Sequence, residues 1–285
     1  MNNTKVAVIY SEKRNHLHYV NNDLALMEVF ASLPKNFHTE FFVNTPILGA
    51  IEKNKQLIWF KNTHKSMRWG VNKYLEPDVV VCVGSPNFEW EKVIDGNYKK
   101  VFIYDSYEIP HKVLNWDVII VPTKDDLQYF PKAVVAAVYN NKIFKPSEKP
   151  RKHFNKFYPQ QVKNLELLMD IQNDSETIAM NNIPDVFYLS DFSSSFLNDL
   201  LNQSKITCIL EKDNDIELAL SSMACNVPVV TTNDLKASSF NGVYNSLATT
   251  PDIYFAIDNA FEFNSTFDLS QFTIEKYAKK LKDLL

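Results

Sequence analysis

Glycine is scarce. The chain has five glycines in 285 residues, where average usage of about 7% would supply roughly twenty. No Gly-x-Gly-x-x-Gly opens a helix and no glycine-rich lysine loop is present. That excludes an ordinary dinucleotide dehydrogenase and a P-loop nucleotidase. A phosphate bound here has to be held by side-chain cations or helix N-termini without glycine loops. Cysteine is also rare: Cys82, Cys208 and Cys225 are far apart, each in an apolar run, with no Cys-x-x-Cys pair. Reduced, buried thiols in a cytoplasmic protein are expected. No apolar run approaches the roughly 18 residues of a membrane span. The N-terminus, with one Lys and the short run Val6–Tyr10, is too weak for a signal peptide. The histidines lack metal-ligand spacing, since His16 and His18 are two apart, so no metal site is expected.

What is present suits a buried core: 45% of residues are hydrophobic and 13% aromatic. Charge is uneven. Residues 1–150 carry 19 Lys/Arg and 16 Asp/Glu, net +3, and residues 151–285 carry 11 and 18, net −7. Two units with different partners follow from that asymmetry. The first half alternates strand and helix signals. Lys5–Tyr10, Thr39–Val43, Pro77–Val83, Lys100–Asp105, Trp116–Val121 and Ala133–Tyr139 read as strands. Asn22–Leu33 reads as a helix stopped by Pro34. Continuous β-branched runs between helical stretches predict a parallel sheet covered on both faces.

Residues 142–156, "KIFKPSEKPRKHFNK", hold two prolines and six Lys/Arg and read as a linker. Alternation then resumes. Gln160–Ile171, Ser195–Gln203 and Ile216–Cys225 are expected as helices, Thr177–Met180, Asp185–Leu189, Lys205–Leu210 and Val227–Thr231 as strands, and Ile274–Leu285 as an amphipathic C-terminal helix. The expectation is an α/β protein with two Rossmann-like domains, 1–148 and 149–285, the second ending in the C-terminal helix.

The stretch Cys208–Val230, "CILEKDNDIELALSSMACNVPVV", joins a strand, an acidic loop, a helix and a Pro-Val-Val strand. It resembles the Glu-Ala-Met-Ala-x-Gly-x-Pro-Val-Val segment of GT-B glycosyltransferases, matching at Met223-Ala224 and Pro228-Val229-Val230. The resemblance implies two parallel sheets facing a central cleft, with the donor, a nucleotide-diphosphate sugar and most readily a UDP-sugar, bound by the second domain. The helix N-terminus would face the donor diphosphate. Two departures stand out: the family's ribose-binding Glu aligns with Ser221, and the Gly before Pro-Val-Val aligns with Asn226. The family's first acidic residue aligns with Asp213, with Asp215 and Glu217 nearby.

In the first half, "KVAVIY", "VNNDLALMEVFASL", "PDVVVCVGSPNFEW" with its Ser-x-Asn-Phe loop, and "KKVFIYDSYEIP" resemble, in order, the bacteriophage glucosyltransferases that modify hydroxymethylcytosine in DNA. That resemblance makes Asp105, at the end of a parallel strand where ligands gather, the catalytic base. The other reading of Asp105 is a cap on the following turn.

The remaining site residues are expected as follows. Lys156, Ser190, Asp213, Asp215, Glu217 and Ser221 bind the donor, with Arg151, Lys152 and Lys163 as further cations near its diphosphate. Residues 53–74, "KNKQLIWFKNTHKSMRWGVNKY", carry six Lys/Arg and no acid, interleaved with aromatics. Cations meet phosphates and rings stack on bases, so Lys61, Lys65, Arg68 and Trp69, with Lys13 and Arg14, are expected on double-stranded DNA. The plainer reading of 53–74 is an amphipathic helix with aromatics in the core. No cofactor is required beyond the donor substrate; a divalent metal would act in product release. A monomer is expected. The alternatives to a modified-cytosine acceptor are a surface glycan or lipid-linked sugar, and a degenerate GT-B binding protein without turnover.

Overall fold

A computed structural model describes residues 3–10, 22–43, 57–59, 71, 76–111, 114–148, 153–171, 176–181, 187–188, 194–212 and 214–285. They form two units, each on its own parallel sheet.

The first sheet has seven strands: β1 (Thr4–Tyr10), β2 (Phe37–Val43), β3 (Leu57–Trp59), β4 (Val79–Gly84), β5 (Lys99–Tyr104), β6 (Val118–Val121) and β7 (Val134–Val135), with helix α1 (Asn22–Ala31) following β1. Their order is β3-β2-β1-β4-β5-β6-β7, parallel at each pairing. Every residue of β4 is buried, and Val6–Ile9 of β1 are fully so. This is the signature of a sheet covered on both faces. One face packs Trp90, Phe102, Tyr104 and Phe130; Phe102 stacks on Trp116 at 4.9 Å.

The second sheet has six strands: β8 (Phe154–Tyr158), β9 (Thr177–Ala179), β10 (Phe187–Tyr188), β11 (Ser204–Ile209), β12 (Val229–Thr232) and β13 (Val243–Ser246), ordered β10-β9-β8-β11-β12-β13 and again parallel. Its helices are α2 (Ser194–Gln203), α3 (Asp215–Ala224) and α4 (Thr250–Phe261). The chain closes with α5 (Ile274–Leu284).

Several expectations change. The stretch 142–156 is not all linker: Phe154–Tyr158 is strand β8, paired with β9 and β11. The preceding residues are strapped to α2. Asn198 Oδ1 accepts from Lys145 N at 3.2 Å, Asn202 Oδ1 accepts from Ser147 N at 2.7 Å, and Asn202 Nδ2 donates to Lys145 O at 3.0 Å. The division therefore falls between Ala137 and Val138, not at 148.

Residues Glu275–Leu285 belong with the first unit, not the second. The buried stripe Tyr277, Ala278 and Leu281 of α5 has helical spacing. Lys280 Nζ donates to Val135 O at 2.8 Å and Lys99 Nζ to Leu285 O at 3.4 Å. The helix expected over Gln160–Ile171 is a 3-10 segment over Leu165–Ile171 only. Within 53–74, residues 57–59 are strand β3 rather than helix. Strand β13 and helix α4 carried no earlier expectation.

Candidate active site

In a doubly wound parallel sheet, ligands collect beyond the carboxyl ends of the strands where the winding reverses. The first sheet reverses between β1 and β4, the second between β8 and β11. Both edges hold polar side chains in defined contacts.

At the second-unit edge, Gln160 follows β8 and is buried. Its Oε1 accepts from Leu210 N and Glu211 N, both at 3.0 Å, and its Nε2 donates to Glu211 O at 2.7 Å. One side chain thus replaces the missing ladder partners just past β11. Glu211 reaches back: Oε1 accepts from Lys163 N at 2.6 Å, and Oε2 lies 3.6 Å from Lys163 Nζ. The Lys163 side chain is 77% exposed, so its charge stays in solvent.

Helix α3 is entered through Asn214, which is left-handed (φ 57°), a conformation Asn tolerates better than most residues. Asp215 and Glu217 occupy its first turn, and both are buried. Acidic groups there complement the helix dipole. Asp215 Oδ2 accepts from Ala237 N at 2.8 Å, pinning the short turn Lys236–Ser239 after β12. Ser221 stands one turn beyond Glu217 on the same face; it is fully buried, and its Oγ has no hydrogen-bond partner among the described residues. An acid, Glu217, thus lies one turn before Ser221 on the same face of α3.

The far end of α3 explains Asn226. Val227 N donates to Ser222 O at 3.1 Å and Asn226 N to Met223 O at 2.9 Å, the paired bonds of a Schellman motif. Asn226 has φ 56°: it takes the left-handed position glycine usually fills. The chain then turns directly into β12 at Pro228.

At the first-unit edge, Asp105 is the first residue after β5 and is half-buried; its N donates to Gly84 O at 3.2 Å. The loop it opens is pinned to the loop after β4. Ser85 Oγ donates to Glu108 Oε2 at 2.5 Å, and Asn87 Nδ2 donates to the same oxygen at 3.1 Å. Asn87 Nδ2 also donates to Ile109 O at 2.9 Å, while its Oδ1 accepts from His111 N at 2.9 Å. Tyr104 OH donates to Glu108 O at 3.0 Å. Below, the buried Trp90 donates through Nε1 to Ser85 O at 2.9 Å.

Of the residues expected in the site, the structure gathers Asp215, Glu217 and Ser221 on α3 and sets Asp105 at the edge of the other sheet. Lys156 lies within β8, paired with Thr177 and Ile206, two residues short of the edge that Lys163 occupies. Ser190, Asp213, Lys13, Arg14, Lys61, Lys65, Arg68 and Trp69, with Arg151 and Lys152, lie outside the described residues. Among the described residues no group of three or more His, Cys, Asp or Glu is placed to hold a metal, and no helix is long and apolar enough to cross a membrane. Sequence reasoning missed the Gln160–Glu211 clamp and the Asn87 contacts. The only signal for the second was the Ser-x-Asn-Phe spacing at Ser85–Phe88.

The sequence matches no protein-family model and no curated protein. Solved structures do match across nearly the whole chain. Sucrose-phosphate synthase from Thermosynechococcus elongatus superposes with a TM-score of 0.62 at 12% identity, covering 99% of this chain and 94% of that one. The UDP-GlcNAc 2-epimerase of Methanocaldococcus jannaschii gives 0.61 at 11% identity, covering 99% of each. HepE of Anabaena, solved with UDP and glucose, gives 0.58 at 11% identity, covering 99% of this chain and 95% of that one. With its two Rossmann-like parallel sheets and their matching winding, the chain has the GT-B fold.

Proposed function

We propose that the protein is a glycosyltransferase that moves a sugar from a UDP-sugar to a hydroxyl. The observation that carries this is the second-unit edge: past β8, Lys163 is held by Glu211, which lies in the segment leading from β11 into α3, where the winding of the sheet reverses. A cation and a helix N-terminus together favour a diphosphate leaving group. HepE, which shares the fold, was solved with UDP and glucose. Glu217 and Ser221, sharing one face of α3, are the groups assigned to the donor's hydroxyls.

In the reaction, the acceptor hydroxyl attacks the anomeric carbon as the bond to the diphosphate breaks. Charge builds on the sugar ring as an oxocarbenium-like transition state. Asp105 takes the hydroxyl proton, and Lys163 with the α3 amides receives the charge that develops on departing UDP.

The acceptor assigned here is 5-hydroxymethylcytosine in duplex DNA, on the similarity of the segments around β1, β4 and β5 to the phage enzymes and on the net positive charge of the first half. Such a base has to leave the stack to be modified. A second reading, a glycan acceptor, is favoured by the carboxylate at the described first-unit edge, Asp105, which suits sugar hydroxyls better than phosphates.

The test is a transfer assay read by intact mass, with a panel of UDP-sugars and duplex DNA carrying cytosine or 5-hydroxymethylcytosine. One added sugar on the modified duplex alone, lost in Asp105→Ala, supports the reading. Donor cleavage without DNA gain moves the acceptor to a glycan. Release of an epimerised sugar in place of transfer overturns the transferase reading.

A further inference from the structure

Two carboxylates follow β5, and they are not equivalent. Asp105 adjoins the strand end. Glu108 is turned back, and one of its oxygens, Oε2, receives both Ser85 Oγ and Asn87 Nδ2. Asn87 contributes three bonds to this loop: to the Glu108 carboxylate, to Ile109 O and from His111 N. The Asn87 backbone N in turn donates to Ser85 Oγ at 3.0 Å. Ser85 is buried on top of Trp90, whose indole is fully buried. The chain of contacts runs from the core of the first unit, through Trp90, Ser85 and Asn87, into the loop that begins at Asp105. Loops that carry reacting groups are ordinarily the mobile parts of a fold; this one is tied at Glu108, Ile109 and His111.

We infer that Asn87 is a positioning residue for the transfer reaction: with Ser85 it uses Glu108 as a latch that holds the Asp105–His111 loop, so that Asp105 acts as base and Glu108 does not. The inference rests on the glycosyltransferase reading. The latch needs an acceptor oxygen at position 108 and not a charge. At position 87 it needs both an amide donor and an acceptor.

The experiment compares wild type with Asn87→Ala, Asn87→Asp, Ser85→Ala, Glu108→Gln and Asp105→Asn. It measures UDP binding by calorimetry, UDP-glucose turnover (hydrolysis included) and amide exchange over residues 105–111. Misplacing a reacting group by about 1 Å costs on the order of 100-fold. The expected result is therefore a turnover about 10- to 100-fold lower in Asn87→Ala with UDP affinity unchanged and faster exchange at the Glu108 and His111 amides. Asn87→Asp loses the amide donor and behaves like Asn87→Ala. Glu108→Gln keeps an acceptor and loses less than about threefold, while Asp105→Asn loses more than any latch variant.

Should Asn87→Ala fail to fold, Ser85→Ala, which removes one bond to Glu108, carries the same test with a smaller loss. Wild-type turnover in Asn87→Ala, or a Glu108→Gln as inactive as Asp105→Asn, overturns the inference while leaving the donor reading intact. Turnover that survives Asp105→Asn overturns it as well. Absence of UDP binding in the wild type overturns the functional reading and this inference with it.

Discussion

Tyr277, on a helix near the end of the chain, shares its surroundings with Asp105, at the tip of a strand in the middle of it. Burial first, and then the Asp105 charge, hold the Tyr277 phenol well above its ordinary range. With Leu285 bonded at the start of β5 and Tyr277 near its end, α5 runs antiparallel to that strand. A phenol that stays protonated in the folded state while the unfolded one ionises near pH 10 loses stability as pH rises. The contribution is complete below about pH 10 and fades above it, by about 1.4 kcal/mol per pH unit. Urea unfolding of Tyr277→Phe between pH 9 and 11 should show a shallower alkaline decline than wild type; equal slopes would refute the coupling.

Lys156 lies within β8 and Lys163 beyond its carboxyl end, and that separates their roles. Lys163→Ala should weaken UDP binding by about tenfold or more, the scale of one charge-assisted contact of about 1.5–3 kcal/mol. Lys156→Ala should leave that affinity within about twofold, since its charge sits inside the strand run. Calorimetry with UDP decides it, and the reverse ranking would move the diphosphate site toward the sheet centre.

The thiol of Cys208 is pushed up to about 12 by burial, which outweighs the lowering from Tyr158 and Lys156. Burial likewise raises Cys82 well above its usual value. A raised folded-state value favours the neutral thiol. This contribution is therefore complete below about pH 8.5, where unfolded thiols begin to ionise, and is lost as pH climbs toward 12. Native protein at pH 8 should not react with an aromatic disulfide reagent at either position until it unfolds. Cys208→Ala should flatten part of the stability loss above pH 9. Rapid labelling of Cys208 in the native state would contradict the burial.

Asn226 fills a left-handed position that ends α3. Asn226→Gly should hold or slightly raise stability, whereas Asn226→Val should cost about 1–2 kcal/mol, the penalty of a β-branched residue in that region. Chemical denaturation of the two variants gives the difference directly. A neutral Asn226→Val would mean the cap relaxes to another geometry.

Strands with a continuous apolar run, as in "KVAVIY" and "PDVVVCV", could be read because burial on both sheet faces demands such runs. Strand β8 could not. Asn155 and Lys156 interrupt it and prolines precede it, so its identity comes from pairing with β9 and β11, which are distant in sequence. Gln160 looked like the start of a helix because Val162, Leu165 and Leu168 have near-helical spacing. Its side chain instead bridges to residues 210 and 211, a long-range bond with no local pattern. Asp215 and Glu217 were legible as a helix first turn, but the bond from Ala237 to Asp215 was not. Asn226 was seen as a departure from glycine and turns out to do glycine's conformational work.

The return of α5 to the first unit sets an order of events during synthesis. Sheet β1–β7 leaves the ribosome first, yet the helix that covers Val135 and Lys99 is made only after all of β8–β13 and α4. The first unit thus begins folding earliest and is completed last. For that interval the surface of β5–β7 that α5 occupies in the finished protein is still without its helix.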